Sequence, residues 1–139
     1  MTVFESKTLT ITINAPFKKV MSDLADPMTH PEWATEFFSG SAEKTDYDYV
    51  LVPVPMMGGI IKFKVEANIL LGNLDLYLTP QDSDFGTPLQ VRIIKNGDGV
   101  DILWTLLRFP GVSDSDWERG LISMSKELVA LKKRLENIL

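Results

Sequence analysis

The chain has 139 residues, the size of one domain with one buried core. Its 14 Lys and Arg against 19 Asp and Glu leave a net charge of -5, which disfavours nucleic acid and anionic membrane surfaces as partners. With no cysteine it has neither a disulfide nor a thiol nucleophile. The first residues lack a basic stretch followed by an apolar one, so no signal peptide is expected. No apolar run approaches the ~18 residues of a membrane span, so the expectation is a soluble cytoplasmic protein without membrane insertion.

Residues 8–14 alternate strictly, with Leu9, Ile11 and Ile13 on one face and Thr8, Thr10 and Thr12 on the other. That pattern predicts a half-buried strand with one wet face. Ala15-Pro16 ends it and opens a helix, because proline's missing N–H is not needed in a first helical turn. Phe17, Val20, Met21 and Leu24 follow at helical spacing, and Asp26-Pro27 stops them. A second short helix is expected over parts of residues 29–38, carrying Trp33, Phe37 and Phe38.

From Tyr47 the period becomes two. Residues 47–57 read as a strand, Gly58-Gly59 as a two-residue hairpin turn, and residues 60–71 as the return strand. On the return strand Ile61, Phe63, Val65, Ala67 and Ile69 share one face, and Lys62, Lys64 and Glu66 the other. Gly72-Asn73 turns the chain into a strand over 74–79, and a polar loop covers 80–88. Strands over 89–94 and 100–109 are joined by Asn96-Gly97-Asp98-Gly99. The short connections make neighbouring strands antiparallel.

Pro110 and Gly111 stop the sheet, and Ser115 with Glu118 resembles a capping box. A helix then runs from about Asp116 to the end, with Trp117, Leu121, Met124, Leu128, Leu131 and Leu135 forming one apolar stripe. Lys132, Lys133 and Arg134 suit the negative end of its dipole and read as a solvated face. The order of elements predicts an α+β fold in which a curved antiparallel sheet of six or seven strands wraps the C-terminal helix. Such a shape tends to enclose a ligand cavity.

The stretch Thr10-Ile11-Thr12-Ile13-Asn14-Ala15-Pro16, with Val20, Asp26-Pro27 and Pro31-Glu32-Trp33, resembles the opening of the START-like or SRPBCC superfamily. Element order and length extend the resemblance over nearly the whole chain. It implies a single helix-grip domain over residues 1–139, related to polyketide cyclase/dehydrase-like, lipid-transfer and pollen-allergen proteins. The superfamily has no shared catalytic residues to carry over.

In that fold the cavity is expected to be lined by Trp33, Phe37, Phe38, Phe63, Val65, Leu121, Met124 and Leu128. Trp104 and Arg108 join them if the face of Ile102 and Leu106 points inward. The opposite parity turns Leu103, Thr105 and Leu107 in, and both faces of this strand are apolar. An inward Arg108 would hold a ligand oxygen and Tyr77 would donate one hydrogen bond. Glu66 and Asp101 are acid/base candidates only if buried. His30, the single histidine, reads as a capping or surface residue. No metal-ligand cluster, phosphate loop or nucleophile elbow is visible, so no metal or cofactor is expected.

Three functions compete. The first is a carrier or sequestering protein for a small hydrophobic or amphipathic molecule. The second is a polyketide cyclase, dehydratase or isomerase-like enzyme. The third is a protein-interaction module similar to chaperone activators. A strand apolar on both faces also fits a homodimer.

Overall fold

The computed structural model describes residues 2–137. The alternating N-terminal segment forms β1 (Ser6–Ile13), and α1 (Phe17–Ala25) follows directly after Pro16. Asp26 ends α1 and starts a 3-10 turn, Pro27–Glu32, by accepting a hydrogen bond from the Met28 N–H at 2.9 Å. The second helix is therefore this short turn. Trp33, Phe37 and Phe38 lie beyond it in irregular backbone, because Pro31 interrupts regular helical bonding.

The rest of the sheet comprises β2 (Glu43–Lys44), β3 (Val50–Val54), β4 (Gly59–Asn68), β5 (Asn73–Pro80), β6 (Leu89–Asn96) and β7 (Gly99–Leu107). All neighbours are antiparallel in the order β1-β7-β6-β5-β4-β3-β2, so the first and last strands pair. The strand expected over residues 47–57 is shorter for two local reasons. Thr45 Oγ1 donates to the Tyr49 carbonyl and accepts from the Tyr47 N–H, which makes a turn before β3. Pro55 then ends β3 and opens a 3-10 turn, Pro55–Met57, which Gly58 closes at φ 90°. This longer connection replaces the two-residue hairpin expected at Gly58-Gly59.

Register settles the face of β7. Leu9, Ile11 and Ile13 of β1 stand opposite Trp104, Ile102 and Val100, so the apolar face of β1 continues across β7. Val100, Ile102 and Trp104 are buried on the inner face. Asp101 points outward, where it accepts from Thr12 Oγ1, and Glu66 is exposed. Neither is a buried acid.

The last element, α2 (Asp114–Glu136), is capped by Ser113, whose side chain accepts from the Asp116 N–H. The cap thus falls two residues before the expected Ser115. Asn137 closes the far end in the left-handed region. Met124, Leu128, Leu131 and Leu135 of the apolar stripe are buried in one core with α1 and the inner sheet face. Among the strands, α2 runs closest to β1. No helix among the described residues is long and apolar enough to cross a membrane.

The cap assignment is testable. Ser113→Ala should cost about 1 kcal/mol of stability, as loss of an N-cap does. Ser115→Ala should change little. Urea denaturation of both variants measures the difference, and equal losses would contradict the cap.

Candidate functional site

Between the inner sheet face and α2 lies a cluster of aromatic rings drawn from separate elements. His30 comes from the 3-10 turn after α1, Trp33 and Phe38 from the irregular segment beyond it, Phe63 from β4 and Trp104 from β7. All five are buried. The His30 ring centre lies 5.2 Å from Phe63, 5.5 Å from Trp33 and 6.4 Å from Trp104. Trp33 and Trp104 meet edge to face at 5.6 Å, and Phe38 lies 5.4 Å from Phe63.

Most of the residues expected to line a cavity are brought together here. Trp33, Phe38, Phe63, Trp104, Met124 and Leu128 are buried members of one core, with Phe37 and Val65 half-buried against it. Leu121 is half-buried nearer the start of α2. Two residues are elsewhere. Tyr77 pairs with Lys64 across β5 and β4, and that register turns it to the outer face. There it packs on Phe85 and under the Lys64 ammonium, while burial and then the nearby Glu66 carboxylate raise its phenol pKa. Arg108 lies just past the end of β7 and binds its own chain. It donates to the Val112 carbonyl and pairs with Asp114 at 2.7 Å and Glu5 at 3.2 Å. It ties the start of α2 to the strand leading into β1, so its charge is already matched.

Two polar side chains of the interior were not singled out as interior groups by sequence reasoning. His30 Nε2 donates to the Leu24 carbonyl at 2.8 Å, satisfying one of the free carbonyls at the end of α1. A carbonyl only accepts, so this bond fixes the proton on Nε2 and leaves a lone pair on Nδ1. Burial lowers the His30 pKa to about 4 by withholding water from the charged form. Glu127 is buried on α2 and accepts from the backbone N–H groups of Glu36 at 3.2 Å and Phe37 at 3.1 Å. Burial raises its pKa, against the two amide bonds. Its position carried a signal: it stands three residues after Met124 and four before Leu131, on the buried stripe.

The indole N–H groups of Trp33 and Trp104 are both buried, and among the described residues no atom accepts from either. An unpaired buried donor costs on the order of 1–3 kcal/mol, so two in one contact pair are a feature of the site and not a detail of packing.

Two clefts open to solvent beside this interior. One, of about 530 Å³, is lined by Lys19, Asp23, Asp26, Arg134 and neighbours, and Arg134 is already paired with Asp23 and Glu32. The other, of about 460 Å³, lies between the 3-10 turn and residues 35–42, and Phe38 and Ala42 form part of its wall. Phe38 therefore faces both this cleft and the aromatic cluster. Among the described residues no three His, Asp or Glu side chains are grouped to hold a metal ion.

The two buried titrating groups act on stability in opposite senses. His30, lowered in the fold, contributes stability above its unfolded pKa of about 6.5, which is lost as pH falls toward 4. The loss is on the order of 3 kcal/mol. A His30→Gln variant should show a flatter stability profile between pH 6.5 and 4 than the wild type. Glu127, raised in the fold, contributes stability that is present below its unfolded pKa and lost as pH rises through the folded one. Glu127→Gln keeps an acceptor for both amides, so it should gain on the wild type as pH rises above the ordinary carboxylate range. Chemical denaturation at several pH values measures both, and profiles parallel to wild type would refute the respective assignment.

No family model and no curated protein matches the chain. Solved structures do. An uncharacterised protein from Bacillus thuringiensis superposes with a TM-score of 0.70 at 14% identity, covering 94% of this chain and 98% of that one. A START superfamily protein from Mycobacterium smegmatis gives 0.63 at 17% identity over 96% and 99%. The Aha1 dimer from Colwellia psychrerythraea gives 0.65 at 17% identity over 95% and 96%. Identities this low speak to fold alone, and with the seven-stranded sheet closed on a long C-terminal helix they establish that the chain has the START-like helix-grip fold.

Proposed function

We propose that the protein binds a small hydrophobic or amphipathic molecule between the sheet and α2, as a carrier or sequestering protein of the cytoplasm. The observation that carries this reading is the shared wall at Phe38. An open cleft of about 460 Å³ and the buried aromatic cluster meet at that one ring. The segment around it, residues 33–42, has no helix or strand, and the Glu127 carboxylate holds its backbone to α2 through two amides. The segment is also held by the Ser39 N–H donating to the Pro53 carbonyl at 3.0 Å and the Ser123 hydroxyl donating to the Glu36 carboxylate at 2.7 Å. Entry at Phe38 therefore calls for displacement of that ring and not for loss of the segment's backbone bonds. A ligand entering at Phe38 would exchange ring–ring contacts for ring–ligand contacts, which keeps apolar surface out of water throughout.

A proton-transfer enzyme has His30 in its favour, a neutral imidazole among the rings. Its pKa of about 4 makes it a weak base at neutral pH, however, and binding is the better reading. The exposed run Ile69, Leu70 and Leu71 at the β4–β5 turn is the feature that favours a homodimer or an interaction surface.

Titration with N-phenyl-1-naphthylamine tests the proposal. The wild type should show a saturable rise in probe fluorescence, with energy transfer from tryptophan. Met124→Arg, which puts a charge on the buried face of α2, should weaken binding at least about tenfold. Ile122→Arg, on the exposed face, should not. Ser39→Trp, which obstructs the cleft from an exposed position, should also weaken it and is expected to fold normally. No saturable binding, or equal binding by all four proteins, would sink the reading.

A further inference from the structure

We infer that the ligand of this interior carries a hydrogen-bond acceptor on a flat, ring-containing body, and that the Trp33 and Trp104 indole N–H groups select it. The inference rests on the proposed binding in the grip and adds the chemistry of what is bound.

Among the described residues these two donors have no acceptor, and the His30 Nδ1 lone pair stands in the same cluster. Trp33 is 3% and Trp104 4% exposed. They belong to one edge-to-face pair, with ring centres 5.6 Å apart, so both donors stand in the same aromatic cluster. An indole N–H donates and never accepts. A group that only donates, such as an ammonium, would find no use for these groups, whereas a carbonyl, ether or hydroxyl oxygen or a ring nitrogen would satisfy them.

The other groups around the pair sharpen the selection. The Nε2–H of His30 is committed to the Leu24 carbonyl, so it does not compete for the same acceptor. Glu127 Oε2 accepts from the amides of residues 36 and 37, and neither indole N–H bonds this carboxylate. Phe38 and Phe63 complete the surroundings with ring faces, which favour a planar aromatic body by stacked and edge-to-face contact. The preference that results has a physical asymmetry. A hydrocarbon of the same shape leaves both donors unpaired, whereas its carbonyl analogue pairs at least one. Sites with buried donors discriminate against analogues lacking the acceptor for this reason.

Fluorene and 9-fluorenone differ by one carbonyl on the same flat frame and are the probes of choice. Each is titrated into the 15N-labelled full chain while the indole N–H resonances are followed. The chain has three tryptophans, and Trp117, half-buried on α2, serves as an internal reference. Fluorenone should bind about tenfold or more tighter than fluorene, the worth of one recovered hydrogen bond to a buried donor. It should also move the Trp33 or Trp104 indole proton downfield while leaving Trp117 in place. Trp33→Phe and Trp104→Phe should each reduce the preference and leave fluorene binding within a few fold. The comparison of the two probes on the wild type stands even if one variant fails to fold. Equal affinity for the two compounds, with no downfield shift, would overturn the acceptor inference while leaving the binding site intact. Binding of neither, together with no binding of N-phenyl-1-naphthylamine, would overturn the site itself.

Discussion

The structure depends on burying one stripe of α2 against the concave face of the sheet. Met124, Leu128, Leu131 and Leu135 are all nearly inaccessible to water. Fully burying a side chain of this size is worth about 1.5–3 kcal/mol, so the four contribute on the order of 6–12 kcal/mol before entropy is charged against them. That is comparable with the whole stability of a typical domain. The stripe shares this task with α1 and the turn after it, which pack on β4, β6 and β7 while α2 runs beside β1.

Apolar burial sets which face of the helix turns inward, but it fixes the helix along its axis only loosely. Polar contacts do the rest here. Arg134 forks onto Asp23 at 2.9 and 3.0 Å and reaches Glu32, which ties the end of α2 to α1 and the turn after it. Nearby, Glu136 accepts from the Asn14 N–H, and Lys132 donates to the Thr12 carbonyl. Arg108 holds the beginning of the helix to Glu5 and to Asp114. These pairs are partly exposed and individually worth little. Their value is geometric: they fix both ends of α2 on the β1 side of the sheet. The middle of the helix meets residues 36–37 through Glu127 alone among the ionisable groups of its buried face. The site therefore lies where the helix is least tied by charge.

The parts of this arrangement that were legible in the sequence are those set by local chemistry. The Thr/Ile alternation of β1, the stop at Asp26-Pro27, the turn at residues 96–99 and the long stripe of α2 each follow from neighbours in the chain. The turns at Gly58 and Gly72 are longer than the two-residue turns expected there. What was not legible depends on partners far away. The face of β7 is settled by its register with β1, since its own two faces are equally apolar. Tyr77 turned outward because it pairs with Lys64, and Arg108 found Glu5, 103 positions away in the chain. Ser115 with Glu118 read as the capping box, whereas Ser113 is the cap, accepting from the Asp116 N–H. His30 illustrates the limit most sharply: a capping role was legible, yet its complete burial among aromatic rings was not.

Unpaired donors in a core normally disappear, because replacing Trp by Phe removes the cost while keeping much of the ring. Here two persist in contact, in a fold whose inner surface is otherwise apolar. Their cost falls on the unliganded protein alone, since an acceptor brought in by a ligand would relieve it. The same donors therefore destabilise the empty state and favour the filled one, and the difference adds to affinity without any new apolar contact. Placing the cost beside residues 33–42 is consistent with this logic. That segment carries Trp33 itself, lines the cleft at Phe38 and is the stretch of the grip with the least regular structure. A donor placed deep under β5 or β6 would be equally costly, yet no ligand could reach it without breaking the sheet. Under the proposed binding, the Trp33–Trp104 pair joins this irregular segment, through Trp33, to the regular sheet, through Trp104 of β7.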